Sequence, residues 1–419
     1  MSESETHKII SRLFSLSTKG MKFGLERMVA ASDAIGNPHQ SFKIIHVAGT
    51  NGKGSICAYC NAMLQELGQS VGLFTSPHLV DFEERFIING KPITTNDWLP
   101  VYTDLESVIN QHELTFFEAT TLMAFELFKR KGVDWGVIET GLGGRLDSTN
   151  IITPAVSIIG QIAFDHMQYL GNSLEQIATE KLGIVKKGVP LVAAMPLQRS
   201  IENLIRQRCN DQSTSCIIVE GNDKSYAVTD TAQSLHYHNI NWQIPLDGVH
   251  QRTNALCAIR AMESAGFNDF VVMKNGLAKT TLPGRFQRIQ FKEKTIIFDV
   301  GHNPAAAASI VENIARVYPD EKVLFVVGIM SDKDAVGFIQ KILPIADTII
   351  CTQPQTDRAM SAEALQSLIP PSFAVNRSTI PSVRQAIEQS LNSSNNVICV
   401  TGSFFTVGEG MSALGVRPY

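Results

Sequence analysis

Along the chain, short apolar runs rich in β-branched residues alternate with stretches of helical periodicity. The early runs are Lys43 to Val47, Ser70 to Phe74, Trp135 to Glu139, Val156 to Gln161 and Val189 to Ala194, with a helix-like stretch from Ile56 to Leu67 after the first. Apolar runs separated by helices predict a mostly parallel sheet wrapped by helices. From Cys216 to Ile244 the pattern breaks into short alternating pieces with many Asn, Asp and Ser, which predicts a few antiparallel strands, and a helix over His250 to Ala265 follows. Leu282-Pro283-Gly284-Arg285 then interrupts the chain. Beyond it the alternation restarts at Thr295 to Val300, Lys322 to Gly328, Thr348 to Thr352 and Asn396 to Thr401. The fold class is therefore α/β in two domains, 1–286 with a small antiparallel part and a smaller 287–419.

Each run ends in a polar or glycine-rich stretch, where open α/β sheets place ligands. After the first run stands Val47-Ala48-Gly49-Thr50-Asn51-Gly52-Lys53-Gly54-Ser55. Glycines between a strand and a helix let backbone N–H groups converge on a polyphosphate, Lys53 supplies a cation and Ser55 a hydroxyl for Mg²⁺. The spacing departs from the usual phosphate loop, because Val47 takes the first glycine position and Gly54 intervenes before Ser55. A purely structural glycine turn is the alternative.

Thr75-Ser76-Pro77-His78, Glu139-Thr140-Gly141 through Asp147, and Asp165-His166 end the next runs. Hard cations want oxygen ligands, so Glu139 is a Mg²⁺ candidate, with an ion pair to Arg145 or a lysine as the structural alternative. His166 reads either as a metal ligand or as a cap or turn residue. Glu180-Lys181 reads locally as a solvated helical charge pair. In the second domain, Asp299 to Pro304 and Thr401 to Thr406 each end a run, so small and polar groups face the first domain across a closing cleft.

Composition narrows the classes. The chain has 419 residues, 44% hydrophobic and 18% charged, with net charge −4, which gives no reason to expect a nucleic-acid partner. Its seven scattered cysteines argue for a reducing, cytoplasmic setting. Cys57 and Cys60 are spaced as CxxC but lack a second pair, and read as packing residues. Neither a signal peptide nor an apolar run of ~18 residues is visible, so no membrane partner is expected.

Taken in order, HVAGTNGKGS, TSPHL, ERF, FFEATT, ETGLGGRLDSTN, FDH, EKLGIVKKG, LPGRFQ, DVGHNP and GSFFTVGE resemble the bacterial dihydrofolate synthase/folylpolyglutamate synthase family within the Mur ligase superfamily, from Gly24 to Thr406. The resemblance implies ATP as co-substrate and Mg²⁺, with room for a monovalent cation. ATP would phosphorylate a carboxylate of dihydropteroate or a reduced folate, and the amine of L-glutamate would attack the acyl phosphate. It also implies roles for residues. Thr50, Asn51, Gly52, Lys53, Gly54 and Ser55 would hold phosphate; Ser55, Ser76, Glu139 and His166 the metal; Asn254, Arg285 and Asp299 the nucleotide. Lys181 matches a carboxylated lysine, and His302 and Ser403 would stand near glutamate and the reacting carboxylate.

The pterin pocket would draw on Phe23, Thr115, Phe117, Glu118, Leu146, Asp147 and Ser148. Lys22-Phe23 before Gly24, and Ala119-Thr120 after Glu118, depart from the family pattern and bear on substrate preference. A chain-extension enzyme, a nucleotide-dependent switch and a cell-wall peptide ligase are the competing readings. The FFEATT and DVGHNP contexts speak against the last. A monomer is the default assembly.

Overall fold

The computed structural model describes residues 3–16, 24–196, 198–219 and 233–419. Phe23 lies outside the described residues. The first sheet is built from β1 (Lys43–Ala48), β2 (Val71–Phe74), β3 (Phe86–Ile88), β4 (Lys91–Pro92), β5 (Trp135–Glu139), β6 (Val156–Ile159), β7 (Leu191–Ala194) and β8 (Cys216–Val219). Its order is β4-β3-β2-β5-β1-β6-β7-β8. The six strands from β2 to β8 are parallel, and β3 and β4 add an antiparallel edge.

The segment Cys216 to Ile244 departs from expectation. Cys216–Val219 does not join an antiparallel group but runs parallel to β7 as the last strand of the main sheet. Only β9 (Ser234–Tyr237) and β10 (Ile240–Gln243) form an antiparallel hairpin. The apolar Cys-Ile-Ile-Val run behaves like the other core strands, pairing with β7 along its whole length. The helix after the glycine loop begins at Lys53, three residues before the apolar periodicity does, because Lys53-Gly54-Ser55 form its first turn.

The second sheet contains β11 (Gln287–Phe291), β12 (Lys294–Asp299), β13 (Val323–Val327), β14 (Ala346–Cys351), β15 (Asn376–Thr379) and β16 (Val397–Thr401), in the order β11-β12-β16-β13-β14-β15. All pairs are parallel except β11 with β12. Strand alternation sends Ile297 and Phe325 to one face, with Ile310, Ile314 and Phe338, and sends Ile296, Phe298 and Leu324 to the other, with Ile387, Val407 and Met411. Leu79 and Val80 of the first domain pack against that second cluster.

Parallel register fixes where the chemistry gathers. Val47 pairs with Glu139, Phe74 with Ile138 and Ala48 with Ile159, so the segments following β1, β2, β5 and β6 leave from one sheet edge. Below that edge Cys57, Cys60 and Cys257 are buried in the hydrophobic core, as packing residues. Among the described residues no helix is long and apolar enough to cross a membrane.

Candidate active site

The glycine loop leaves β1 and turns into the helix Lys53–Glu66 through Gly52, whose φ is +85. A Cβ at Gly52 would stand 2.5 Å from Asn254 Oδ1, so the position is closed to any side chain. No side-chain hydrogen bond from Gly52 caps the helix, and its first N–H groups remain available to an anion. Gln251, which the sequence reading did not single out, organises the wall behind it: Nε2 donates to Ser55 Oγ at 3.1 Å, and Oε1 accepts from Asn254 Nδ2 at 3.1 Å and from Tyr59 at 3.4 Å. Thr50 Oγ1 donates to Ala163 O at 3.0 Å, and Asn51 Oδ1 accepts from Asn303 of the second domain at 3.0 Å. A cleft opens here, lined by Gly52, Ser55, Gln251, Arg285, Asp299 and Asn313 among others. Its glycine floor, open helix terminus and arginine fit a nucleotide polyphosphate.

Glu139 ends β5, is 5% exposed, and accepts the Ser76 N–H at 3.2 Å. Burial pushes its carboxyl up, opposed by the Lys53 charge, the Ser76 N–H and Arg285. The ion pair with Arg145 weighed from sequence is absent, since Arg145 Nη2 is 2.9 Å from Glu180. A buried carboxylate facing a lysine is a donor that a hard cation would relieve of its burial cost. Among the described residues no three His, Cys, Asp or Glu side chains form a metal cage. A cation bound here would draw on hydroxyl, phosphate and water oxygens as well, as Mg²⁺ in nucleotide sites does.

His166 sits at φ +51 before the short helix Met167–Leu170, and its ring does not cap that helix. Burial lowers its pKa to about 4 against the pull of Asp165, so the imidazole is neutral at pH 7, the metal-ligating form. Lys181 corrects the local reading of a solvated pair: Glu180 does face Arg145, but Lys181 is 3% exposed and donates to Gly49 O at 3.0 Å. Burial first, and the neighbouring Lys53 charge second, bring its pKa down to about 7. Lys53 itself donates to Gly49 O at 3.2 Å, and its charge is felt at Glu139, His166 and Lys181 alike.

The second domain completes the cleft. Asp299 accepts from Gly301 N at 2.7 Å and Phe286 N at 2.9 Å, which ties the end of β12 to the chain crossing. Arg285 lies over the Phe404 ring at 5.4 Å and close to Gly54. His302 Nδ1 is 3.0 Å from Val300 O and Nε2 is 3.3 Å from Asp165 Oδ2. Ser403 caps the helix Phe404–Ala413, its Oγ accepting from Thr406 N at 3.1 Å. Lys333 joins them unannounced by the sequence reading, with Nζ 2.6 Å from Asp165 Oδ1. It stands six residues past the end of β13, in a turn of charged residues.

Of the pterin candidates, Phe117 is half-buried and stacks on Phe74 at 5.9 Å, with its ring against Gly141. Glu118 is committed on both oxygens, accepting from Arg27 at 2.9 Å and from Thr115 N at 2.8 Å. Asp147 accepts from Leu142 N at 2.7 Å and Thr149 N at 3.0 Å, and Ser148 shares a hydrogen bond of 2.8 Å with Thr121. Leu146 is half-buried beside them.

Residues 47–262 match the Mur ligase middle domain and residues 284–404 the Mur ligase glutamate ligase domain. The dihydrofolate synthase/folylpolyglutamate synthase of Bacillus subtilis is 32% identical over 93% of this chain and 94% of its own. The structure of Mycobacterium tuberculosis folylpolyglutamate synthase complexed with ADP superposes with a TM-score of 0.91 at 28% identity, covering 99% of both chains. A bifunctional folylpolyglutamate synthase/dihydrofolate synthase with Mn, AMPPNP and L-glutamate bound gives 0.86 at 30% identity, covering 97% of this chain and 98% of that one. The chain belongs to the Mur ligase family, among its dihydrofolate synthases/folylpolyglutamate synthases, and is an ATP-dependent ligase.

Proposed function

We propose that the enzyme joins L-glutamate to 7,8-dihydropteroate, forming dihydrofolate, and to reduced folates, forming folylpolyglutamates. The observation that carries this reading is the meeting of two half-sites: the phosphate loop with Glu139, His166 and Lys181 on one domain, and His302, Ser403 and Arg285 on the other, joined through Asp165. ATP with its divalent cation supplies the phosphoryl group that turns an inert carboxylate into an acyl phosphate, ADP leaving; the glutamate nitrogen then bonds to the acyl carbon and phosphate leaves.

The chain's residues supply position and charge. Thr50, Asn51, Gly52, Lys53, Gly54 and Ser55 would grip the phosphates, with Lys53 swinging from the Gly49 carbonyl to the transferred group. Ser55, Ser76, Glu139 and His166 would hold divalent cation. Lys181, with its pKa near 7, is nucleophilic enough toward CO₂ to form a carbamate, which would replace a cation beside Lys53 by an anion. Asn254, Arg285 and Asp299 would hold the nucleotide. His302 and Ser403 would face glutamate and the reacting carboxylate. Phe117 and Leu146 would offer apolar surface to the pterin ring, while Thr115, Glu118, Asp147 and Ser148, already bonded to protein groups, would shape that pocket. All seven cysteines are free thiols, which suits the cytoplasm.

ADP release with ATP, Mg²⁺ and L-glutamate, compared on 7,8-dihydropteroate and tetrahydrofolate with the amide product confirmed by mass, tests the reading. Turnover on both is expected. Turnover on tetrahydrofolate alone would restrict the enzyme to chain extension, and the departures around Phe23 and Ala119 bear on that preference.

A further inference from the structure

Lys333 stands in the turn between β13 and the helix Ala335–Ile342. The turn is braced: Lys333 N donates to Met330 O at 3.1 Å, Ser331 N to Arg358 O at 2.8 Å, and Asp334 accepts from Gly337 N at 2.8 Å. From there the side chain, 6% exposed, crosses to the first domain, where Nζ lies 2.6 Å from Asp165 Oδ1 and 3.0 Å from His166 Nε2. An ammonium can only donate, so Nε2 is its acceptor and the ring proton resides on Nδ1. That nitrogen faces Asp332 Oδ2 at 4.0 Å, a buried oxygen without a hydrogen-bond partner. Arg358 holds the other oxygen of Asp332 at 3.1 Å. Two consecutive residues of the second domain thus address both nitrogens of one imidazole of the first.

We propose that Lys333 is a tethered cation: its ammonium occupies His166 Nε2 in the metal-free enzyme, and a divalent ion reaches that nitrogen only by displacing it. The proposal rests on the reading of His166 as a metal ligand. Nε2 has a single in-plane lone pair, which points either at the ammonium or at the metal and never at both. Metal-free closure is then held by the Lys333 contacts with Asp165 and His166, and metal entry frees the ammonium while Asp165 remains within its reach. Asp332 Oδ2, 4.0 Å from Nδ1 and 3.9 Å from Lys333 Nζ, adds negative charge beside the ring and the ammonium without hydrogen-bonding either. Lys333 is a positioning residue that couples domain closure to occupancy of the metal site.

The test is a Mn²⁺ titration of nucleotide-free protein, reading free Mn²⁺ by electron paramagnetic resonance. Lys333→Met removes a positive charge next to the ligand and is expected to tighten Mn²⁺ binding at least ~10-fold. Lys333→Arg should stay near wild type, and adding His166→Ala to Lys333→Met should abolish the gain. Lys333→Gln, neutral yet still a donor, serves if the methionine variant does not fold. Mn²⁺ affinity unchanged or weakened in a folded neutral variant overturns the proposal. The ligand reading has its own control. His166→Ala should weaken binding of Mn²⁺ with AMPPNP, and indifference there would overturn that reading and the proposal with it.

Discussion

The carbonyl oxygen of Leu79, in the first domain, lies where a Cβ on Gly408 of the second domain would stand, far inside van der Waals distance. The loop carrying Leu79 also carries Ser76, whose N–H holds Glu139 at 3.2 Å, and Glu84 fixes it through Leu79 N and Val80 N, both at 2.8 Å. The second domain is therefore docked on the loop that positions the Glu139 carboxylate. Alanine at Gly408 must push that loop away, since a backbone carbonyl cannot rotate aside as a flexible side chain can. Gly408→Ala is expected to lower kcat by about 100-fold, the cost of an ångström-scale misplacement, while ADP still binds the cleft with an affinity near wild type. Stopped-flow turnover beside ADP titration checks this; wild-type kcat would mean the docking does not matter to the chemistry.

Lys181 gives a pH dependence with a definite sign. Its pKa is lowered to about 7, so the amine is mostly neutral at pH 8 and mostly protonated at pH 6. Only the neutral amine adds CO₂. Activity in CO₂-depleted buffer should therefore recover on adding bicarbonate at pH 8 and recover much less at pH 6. A ¹³C carbamate resonance should appear in wild type with labelled bicarbonate and vanish in Lys181→Ala. A fully active enzyme showing no such resonance at pH 8 would count against carboxylation.

Much of this architecture is legible in the sequence, for a physical reason. Strands such as Trp135–Glu139 are buried along their whole length and so appear as unbroken apolar runs. Edge strands give no such signal: Gln287–Phe291 alternates half-buried with exposed residues, and β4 spans only Lys91–Pro92. Within the site, parallel register draws strand ends together, which is why Glu139 and Asp165 were visible as neighbours in principle. Gln251 and Lys333 lack that cue. One is a polar residue in the first turn of a helix and the other lies in a charged turn, and both patterns normally mark solvent.

Gln251 is buried, 1% exposed, among three partners. Gln251→Leu keeps much of the volume but strands the Tyr59 hydroxyl and frees Ser55 Oγ from its donor. Losing partners for buried polar groups costs about 1–3 kcal/mol. The variant should melt earlier and bind AMPPNP with Mn²⁺ roughly 10-fold more weakly, since Ser55 and Asn254 both lose their alignment. Calorimetric titration distinguishes this from a stability effect alone, which would leave the affinity at low temperature untouched.

Glu139 separates function from stability most sharply. Burial raises its pKa, so ionising this carboxyl works against the cation-free fold. Glu139→Gln removes the charge at nearly constant volume and retains an oxygen for the Ser76 N–H. The variant should therefore melt no lower than wild type without metal, with the difference growing as pH rises through the raised pKa of the wild-type carboxyl. At pH values below its raised pKa the wild-type group is protonated and that difference should shrink. Turnover should nevertheless fall at least ~100-fold, because a carboxamide cannot offset the charge of a divalent ion. Wild-type melting curves gain stability on adding Mn²⁺ with AMPPNP, by linkage, and the variant should lose most of that gain. A variant that melts lower and turns over normally would reverse both halves of the argument and make Glu139 a structural carboxylate.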